Sequence, residues 1–361
     1  MSQPAESEQN FIDGRFVAAR GETIAVENPA THTTIGHIPD SDAEAVNTAV
    51  AAARRAQPSW EKRPAIERAG FLRQISAKLR ERVAEFADII VREQGKVRAL
   101  AEVEVNFTAD YIDYMAEWAR RIEGEVIESD RAGESIFLLR KPVGVVAGIL
   151  PWNFPFFLIA RKMAPALVTG NTVVIKPSEE TPLNAYAFAK LVAEIDLPAG
   201  VFNLVGGRGA STGDALCAHP DVRLITFTGS VATGSRIMAT AAKNLTRVNL
   251  ELGGKAPAIV LADADLDLAA KAICDSRTIN TGQVCNCAER VYVEKSVAEP
   301  LAEKIAAHLK ATRYGDPSVE NELDMGPLIN RAGLDKVAAM VEQAQADGAT
   351  VVTGGCTADL G

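Results

Sequence analysis

Apolar residues recur at helical spacing through the amino-terminal third of the chain. Over Ile66–Gly95 they return every three or four positions with charged residues between them, which predicts an amphipathic helix. A second helix is predicted for Ala99–Arg121. Neither helix carries a group of side chains that suggests chemistry, and both are interpreted as scaffold. We therefore expect the stretch Asp42–Gly124 to be mostly helical.

After a turn signal at Arg131–Gly133, short apolar runs typical of buried strands alternate with longer helical stretches. The predicted strands are Ile136–Arg140, Val143–Leu150, Thr172–Ile175, Val201–Val205, Leu224–Phe227, Val248–Leu252, Ala258–Leu261, Arg290–Val293 and Thr350–Val352. The predicted helices are Phe156–Thr169, Asn184–Ile195, Ala232–Lys243, Leu266–Ile279, Pro300–Lys310 and Ala332–Ala346. This alternation predicts an α/β fold with a parallel sheet that helices cover on both faces. The last unit looks unfinished at Gly361, so we expect a chain truncated at its carboxyl end.

Length and composition favour a folded protein of two or three domains. The chain has 361 residues, 47% of them hydrophobic, and domains typically hold about 100–200 residues. Its net charge of −9 is spread along the chain without a basic run, which argues against nucleic acid or an anionic membrane as partners. The longest apolar stretch, Phe154–Ala160, is too short to span a bilayer.

The amino terminus and the cysteines indicate a cytoplasmic protein. The first ten residues are polar and acidic, without the basic and apolar regions of a secretory signal. The five cysteines are odd in number and widely spaced, which favours free thiols in a reducing compartment over a disulfide framework.

A candidate nucleophile is Cys285, which ends the sequence Gly-Gln-Val-Cys. The glycine-containing break before it favours a tight turn with an exposed thiol. A free thiol needs a base, a cation or backbone N–H groups to become a thiolate at neutral pH, and an isolated cysteine is more often a small buried residue. Cys287 lacks the second ligand pair that a metal site requires, so no metal is predicted. A pairing of Cys285 with a histidine stays open.

A candidate base is Glu251, in the sequence Glu-Leu-Gly-Gly-Lys at the end of a predicted strand. Gly253 and Gly254 are expected to form a turn that tolerates positive φ, with the carboxylate facing a cleft. The apolar-rich residues before Glu251 predict partial desolvation, which favours a carboxyl group that acts as a base. A glutamate on the surface at a strand end is the alternative.

A candidate oxyanion donor is Asn153, in the sequence Pro-Trp-Asn-Phe-Pro between a predicted strand and a helix. The two prolines restrict the backbone and the aromatic residues can anchor it, so the side-chain amide becomes a rigid N–H donor. Such a donor contributes about 10²–10³ in rate where it meets a developing oxyanion. The alternative is a structural asparagine in a proline-rich turn.

Two further motifs have the residues of nucleotide-binding loops. Lys176 and Glu179 follow a predicted strand, and the carboxyl ends of strands in open α/β sheets bind ligands, so the pair could contact ribose hydroxyls. Gly229 permits close approach of a pyrophosphate to the start of the next helix. The run Gly207–Gly209 lacks the spacing of the dinucleotide fingerprint. For each motif, an ordinary exposed loop is the alternative.

With PWNFP, KPSE, FTGS, ELGGK and GQVC in this order, the sequence resembles the aldehyde dehydrogenase superfamily from about Phe11 to its last residue. The stretches FTADYIDYMAEWARR, ILPWNFPFFLIARKMAPAL and GQVCNCAERVYV look most like its lactaldehyde/glycolaldehyde branch. The resemblance implies a Rossmann-type NAD-binding domain plus an incomplete α/β catalytic domain. It places the amino-terminal helical part of the cofactor domain at 1–125, bridging and oligomerisation strands at 126–145, the NAD-binding domain at 146–251 and the catalytic domain at 252–361.

The resemblance also implies roles for individual residues. Cys285 would attack the aldehyde to give a thiohemiacetal, whose oxyanion its own N–H and the Asn153 side chain would stabilise. Hydride transfer would leave a thioester, and Glu251 would activate the water that hydrolyses it. Lys162 matches a lysine close to this site. The implied cofactor contacts are Ile149, Pro151, Trp152, Lys176, Ser178, Glu179, Gly209, Phe227, Gly229, Ser230, Leu252 and Gly253.

Within this resemblance the cofactor is expected to be NAD rather than NADP, because a carboxylate such as Glu179 bonds a 2′-hydroxyl and repels a 2′-phosphate. The expected substrate is a small aldehyde, and the intact protein is expected to be a homo-oligomer, a dimer or a tetramer. A later E-x-F-G-P motif and a carboxyl-terminal oligomerisation strand of the family do not occur here. We therefore expect this chain to be inactive by itself.

Three alternatives stay open at this point. The enzyme could transfer the acyl group to coenzyme A, although a water-activating Glu251 argues for hydrolysis. The chain could be a non-catalytic dinucleotide-binding or structural relative, which the three intact candidates Cys285, Glu251 and Asn153 argue against. The substrate could be another aldehyde, such as betaine aldehyde or succinate semialdehyde.

Overall fold

A seven-stranded sheet lies at the centre of this chain, whose computed structural model describes residues 7–18 and 21–358. The strands are β1 (Asn10–Ile12), β2 (Arg15–Val17), β3 (Thr23–Glu27), β4 (Thr34–Pro39), β5 (Glu125–Glu128), β6 (Ser135–Leu138), β7 (Val145–Ile149), β8 (Thr172–Lys176), β9 (Phe202–Leu204), β10 (Val222–Gly229), β11 (Arg247–Leu252), β12 (Pro257–Val260) and β13 (Arg290–Val293). The helices are α1 (Ala43–Lys62), α2 (Ala65–Glu81), α3 (Val83–Gln94), α4 (Arg98–Glu117), α5 (Pro155–Val168), α6 (Leu183–Ala193), α7 (Asp214–Ala218), α8 (Val231–Ala241), α9 (Leu266–Thr278), α10 (Ala298–Ala311) and α11 (Arg331–Ala346). The predictions about the polar amino terminus and about truncation at the carboxyl end concern, in part, residues 1–6 and 359–361, which lie outside the described residues.

The central sheet has the strand order β11-β10-β7-β8-β9-β1-β2. The strands from β11 to β9 are parallel, which confirms the predicted parallel sheet. The chain proceeds outward from β7 to β8 and β9, and then crosses to β10 and β11 on the other side of β7. The strand order therefore reverses between β7 and β10, and open α/β sheets bind ligands outside the carboxyl ends of the strands at such a point.

Helices cover both faces of this sheet, as predicted. Val145, Ala147 and Ile149 point to one face, where they pack in a core with α1, α7 and α8. Val146 and Val173 belong to the other core, which the helices α2 to α6 complete. Successive residues of a strand point to opposite faces, so the continuous apolar run of β7 reflects burial on both sides.

The stretch Asp42–Gly124 is mostly helical, as predicted, whereas the described residues before it form four strands that were not predicted. β1 and β2 form an antiparallel hairpin that extends the central sheet past β9. Its two-residue turn, Asp13–Gly14, has φ values of 56° and 76°. An Asp-Gly pair between two short apolar runs is a strong hairpin signal, because both turn positions need positive φ.

Two other predicted elements differ from the structure. The helix predicted over Ile66–Gly95 is divided at Arg82, whose φ and ψ of −124° and 25° lie outside the helical region. The strand predicted over Thr350–Val352 is not formed. That segment has no neighbouring strand among the described residues, and an apolar run becomes a strand only when another strand pairs with it.

The carboxyl-terminal part has a small core of its own. β12 and β13 form a separate two-stranded parallel sheet, against which α9 and α10 pack around Val260, Ala270 and Leu301. Ile259 and Leu268 of this part are exposed. No helix among the described residues is both long enough and apolar enough to cross a membrane.

Candidate functional site

Four of the five sequence motifs lie side by side at the carboxyl edge of the parallel strands. Ile149, the last residue of β7, is in register with Lys176, the last residue of β8, and with Phe227 of β10. Gly229 of β10 is in register with Leu252 of β11. The PWNFP, KPSE, FTGS and ELGGK motifs therefore begin at neighbouring points of one sheet edge.

The fifth motif, with Cys285, contacts the first of these turns directly. The Asn153 Nδ2 group donates a hydrogen bond to the carbonyl of Gln283 (2.8 Å), and the Asn280 Nδ2 group donates to the carbonyl of Asn153 (3.0 Å). Cys285 itself is exposed, as predicted for a thiol on a turn. An amide nitrogen carries two N–H donors, so Asn153 can contact the turn of Cys285 and still donate to a substrate oxygen.

The turn before Cys285 has an uncommon backbone conformation. Asn280, Thr281 and Gly282 have φ values of 49°, 59° and 74°, so three successive residues are left-handed. For a β-branched residue such as Thr281 this conformation costs about 1–2 kcal/mol. Its Oγ1 donates to the carbonyl of Gly326 (2.9 Å), while Asn280 is bonded to Asn153. Contacts from two sides therefore stabilise a strained turn next to the candidate nucleophile.

Glu251 lies at the same sheet edge with its side chain 52% exposed, and its carboxylate is 3.9 Å from the guanidinium of Arg161. The expectation that Glu251 is desolvated is therefore wrong. The reason is its position on β11, the outermost strand of the sheet on that side, which has a neighbouring strand on one side only. A carboxylate in this position is accessible to water.

Lys162 lies on the adjacent helix, α5, and is almost fully buried. Burial, followed by the positive charge of Arg161, lowers the pKa of Lys162 to about 8, although the Glu251 carboxylate opposes the shift. An amine with this pKa can gain or lose a proton near neutral pH. Arg161, Lys162 and Glu251 thus form a charged group close to the sheet edge.

The glycines after β11 differ from the expectation. Neither Gly253 nor Gly254 has a positive φ, so the predicted left-handed turn is wrong. A Cβ atom on either residue would meet no atom within 4 Å, and the Gly253 N–H donates to the carbonyl of Gly229 (3.3 Å). The two glycines therefore leave bare backbone facing open space at the site, which permits the close approach of a ligand.

A cavity of about 190 Å³ lies where the strand order reverses. Its lining residues are Ile149, Gly209, Ala210, Gly213, Asp214, Cys217, Thr233, Arg236 and Ile237. Beside it α8 begins at Ser230, whose Oγ accepts a hydrogen bond from the Thr233 N–H (3.2 Å). An apolar slot next to a helix amino terminus fits the adenine and pyrophosphate parts of a dinucleotide.

Glu179 lies beside this cavity with its carboxylate bonded on both oxygens. The Lys176 Nζ group donates to one oxygen (2.9 Å) and the Gly209 N–H donates to the other (3.0 Å). Burial alone would favour the neutral acid, but the lysine charge and the Gly209 N–H together lower the pKa of Glu179 below its ordinary value. The group is therefore an anion at neutral pH, as the proposed ribose contact requires.

The other predicted cofactor residues surround the same edge. A Cβ at Gly234 on α8 would lie 2.7 Å from Leu252 on β11, so α8 packs closely on the sheet, and a Cβ at Gly229 would clash with the ring of Phe227 on the same strand. The turns that follow β7 and β8 contain Pro151, Trp152 and Ser178.

Sequence reasoning missed two residues of the site. Thr228 is in register with Glu251, and its Oγ1 is buried without a hydrogen-bond partner among the described residues, which suits a polar group of a bound cofactor. Asn280 bonds the turn of Asn153. The sequence offered a signal for Asn280 but not for Thr228, because asparagine is among the residues that tolerate the left-handed conformation.

Comparisons with known proteins agree with this arrangement. The sequence model of the aldehyde dehydrogenase family matches residues 16–361. Over 356 residues the chain is 60% identical to the lactaldehyde dehydrogenase of Escherichia coli, covering 98% of this chain and 74% of that protein. It is 41% identical to a 3,6-anhydro-alpha-L-galactose dehydrogenase of Vibrio, covering 96% of this chain and 72% of that one. A crystal structure of lactaldehyde dehydrogenase from Escherichia coli superposes with a TM-score of 0.97 at 60% identity, over 98% of this chain and 74% of that chain.

Proposed function

This chain belongs to the aldehyde dehydrogenase family, and from that premise we propose that it oxidises lactaldehyde, or the related glycolaldehyde, to the carboxylic acid with NAD. The observation that carries the chemistry is the pair of hydrogen bonds between the Asn153 turn and the turn of Cys285. A nucleophile and a donor for the oxyanion are thereby adjacent. The 60% identity to a lactaldehyde dehydrogenase supports the choice of substrate.

The first half of the reaction is the attack of the Cys285 sulfur on the aldehyde carbon. The carbonyl oxygen becomes an oxyanion, which the free N–H of the Asn153 amide and the backbone N–H of Cys285 stabilise. The residues after β7 and β10 would hold NAD at the sheet edge, where the bound cofactor would supply the acceptor for the hydride that leaves the thiohemiacetal carbon. The product of this half is a thioester on Cys285.

The second half is hydrolysis of that thioester. Glu251 is accessible to water, with its carboxylate 3.9 Å from the Arg161 guanidinium, and it is the group that would remove a proton from an attacking water molecule. Collapse of the tetrahedral intermediate breaks the carbon–sulfur bond, releases the acid and restores the thiolate. This role of Glu251 argues for transfer of the acyl group to water rather than to coenzyme A.

We propose NAD rather than NADP as the cofactor. Glu179 is anionic and lies at the edge of the dinucleotide cavity, where a 2′-phosphate would meet like charge. The cavity and the start of α8 would hold the adenine and pyrophosphate ends. The residues after β7 and β10 would hold the nicotinamide end, near Thr228.

We further propose the four segments and the cellular setting expected from the sequence. Residues 1–125 support the cofactor domain at 146–251, residues 126–145 carry association into a homo-oligomer, and residues 252–361 carry the nucleophile. The cysteines, all of which lie among the described residues, are free, which supports a cytoplasmic location.

A substrate panel on the intact protein tests the proposed function. NADH formation would be measured with lactaldehyde, glycolaldehyde, betaine aldehyde, succinate semialdehyde and a long-chain aldehyde, in the absence of coenzyme A. We expect kcat/KM to be highest for lactaldehyde or glycolaldehyde and the carboxylic acid to accumulate in step with NADH. A higher kcat/KM for betaine aldehyde or succinate semialdehyde would contradict the substrate. Product formation that requires coenzyme A would contradict the hydrolytic step.

A further inference from the structure

A fully buried ion pair lies beneath the site, where α3 joins α4, in a part of the chain that carries none of the sequence motifs. Lys96, just after α3, and Glu104, on α4, have fully buried side chains, and the Lys96 Nζ is 2.5 Å from a carboxylate oxygen of Glu104. The desolvation of two charges can exceed their mutual attraction, so a buried pair is weak evidence for stability. Its contacts point to a different role.

Lys96 contacts the turn of the oxyanion donor. Its Nζ donates to the backbone carbonyl of Asn153 (2.9 Å) and lies 3.6 Å from the ring centroid of Phe154. The same carbonyl accepts the hydrogen bond from Asn280, in the left-handed turn that precedes Cys285. The lysine therefore bonds the Asn153 turn directly and is connected to the turn of Cys285 through the shared Asn153 carbonyl.

Glu104 contacts the start of the helix that follows the same turn. Its second carboxylate oxygen accepts from the N–H groups of Phe156 (2.9 Å) and Phe157 (3.1 Å), in the first turn of α5. The residue that precedes this helix, Phe154, has no side chain that could cap it. Glu104 thus caps α5 from another helix, with a negative charge at the amino-terminal end of the helix dipole. α5 also carries Lys162.

We propose that the Lys96–Glu104 pair is a positioning unit of the reaction centre, which sets the Asn153 turn and the start of α5 relative to the turn of Cys285. Neither residue touches the reacting atoms. Lys96 satisfies a backbone carbonyl of the PWNFP segment, and Glu104 satisfies the N–H groups of the two residues that directly follow it. The proposal rests on the roles of Asn153 and Cys285 given under the proposed function.

The proposal predicts which kinetic constant changes. Without the Lys96 ammonium, the Asn153 carbonyl loses a charged donor, and the amide donor moves relative to the oxyanion. A misplacement of about 1 Å can cost about 10²-fold in rate. The ribose contacts of Lys176 and Glu179 lie on a different loop and should be unaffected. We therefore expect kcat to fall about 10²-fold in Lys96→Met while the dissociation constant for NAD changes far less, because only the contacts of the Asn153 turn with the nicotinamide end are disturbed.

A double variant separates positioning from stability. Lys96→Met or Glu104→Gln alone leaves one side of the pair without its counter-charge, and the melting temperature should fall. In Lys96→Met/Glu104→Gln no charge is buried and the α5 cap keeps an acceptor oxygen, so the melting temperature should rise again. The Asn153 carbonyl still lacks its donor, so kcat should stay about 10²-fold low.

The experiment measures melting temperature, kcat, NAD affinity and backbone hydrogen exchange in these three variants of the intact protein. Asp113→Asn is the matched control, because Asp113 on the same α4 helix accepts a hydrogen bond from Ser76 (2.5 Å) and pairs with Arg80, both on α2, which carries none of the motifs. We expect faster exchange in peptides covering 153–157 and 280–287 in both variants that lack Lys96, without NAD or aldehyde present. The melting temperature of the control should fall, but its kcat and the hydrogen-exchange rates of those peptides should not change.

Two outcomes would overturn the proposal: recovery of kcat together with melting temperature in the double variant, or unchanged exchange at 280–287 in Lys96→Met. Failure of the proposed function has a different signature. In that case Cys285→Ala would retain NADH formation, whereas the exchange measurement does not depend on which aldehyde is oxidised.

Discussion

At the scale of single residues, we propose that the charged group of Arg161, Lys162 and Glu251 controls proton transfer during hydrolysis of the thioester. Glu251 is half exposed, and Lys162 is buried on the helix behind it. The pKa of Lys162 is about 8, because burial and the Arg161 charge both destabilise the ammonium form. Above that pH the neutral amine can accept the proton that Glu251 removes from water.

A first prediction concerns the pH dependence of this step. Thioester hydrolysis should become faster as the pH rises through about 8, because Lys162 loses its proton there. Lys162→Met should abolish this rising limb in the plot of kcat against pH. Arg161→Gln should move the limb to higher pH, because it removes a positive charge that disfavours the ammonium. Stopped-flow measurement of acid release between pH 6 and 10 provides the test; an unchanged limb in Lys162→Met would contradict it.

A second prediction concerns Glu179 and the cofactor. The wild-type chain should have a higher kcat/KM for NAD than for NADP, because the anionic carboxylate repels a 2′-phosphate. Glu179→Gln should reduce this discrimination while Glu180→Gln, its neighbour, should leave it unchanged. A wild-type preference for NADP would refute the prediction.

The sequence predicted the identity of these residues better than their surroundings. Cys285, Asn153 and Glu251 were recognisable from their motifs, since each chemistry requires a particular residue type. The exposure of Glu251 depends on its strand being outermost, which is a property of the sheet. The contact between Asn153 and Asn280 joins residues far apart in the chain, so local patterns could not indicate it.

At the scale of elements, the site is built from turns that follow strands, and helices keep those turns in place. α3 and α4 were interpreted as scaffold from their spacing, but the residues at their junction contact the Asn153 turn. The β1–β2 hairpin was missed even though its Asp-Gly turn signal is present in the sequence. Periodicity identifies helices well, because they repeat over many residues, while three-residue strands offer little pattern.

A third prediction concerns β5 and β6, which form a two-stranded sheet whose large apolar residues, among them Val126 and Phe137, are 72% and 65% exposed. An isolated two-stranded sheet with exposed apolar side chains suits a contact with a second copy of the chain. Phe137→Glu should therefore shift the protein to smaller species in light scattering after size exclusion. Leu245→Glu, at a residue 90% exposed outside this sheet, is the control. An unchanged mass for Phe137→Glu would contradict the assignment.

At the scale of the whole molecule, one sheet edge brings together motifs that are spread from Asn153 to Cys285. The parallel strands and their two helical layers were predictable, because alternating strands and helices allow few other topologies. The edge strands β1 and β2 could not be predicted from this alternation, because they lie at the amino-terminal end of the sequence, far from the other strands of the sheet. The sheet topology therefore explains how motifs that are far apart in the sequence form a single site.

The central claim is that Cys285 forms a thioester that Glu251-activated water hydrolyses. The most direct test is mass spectrometry of Glu251→Gln quenched in acid after reaction with lactaldehyde and NAD. We predict one NADH released per chain and one lactoyl group on the peptide that contains Cys285, with fragmentation placing it on Cys285 rather than Cys287. Continuous turnover by Glu251→Gln, or NADH formation without an acyl group on Cys285, would contradict the account.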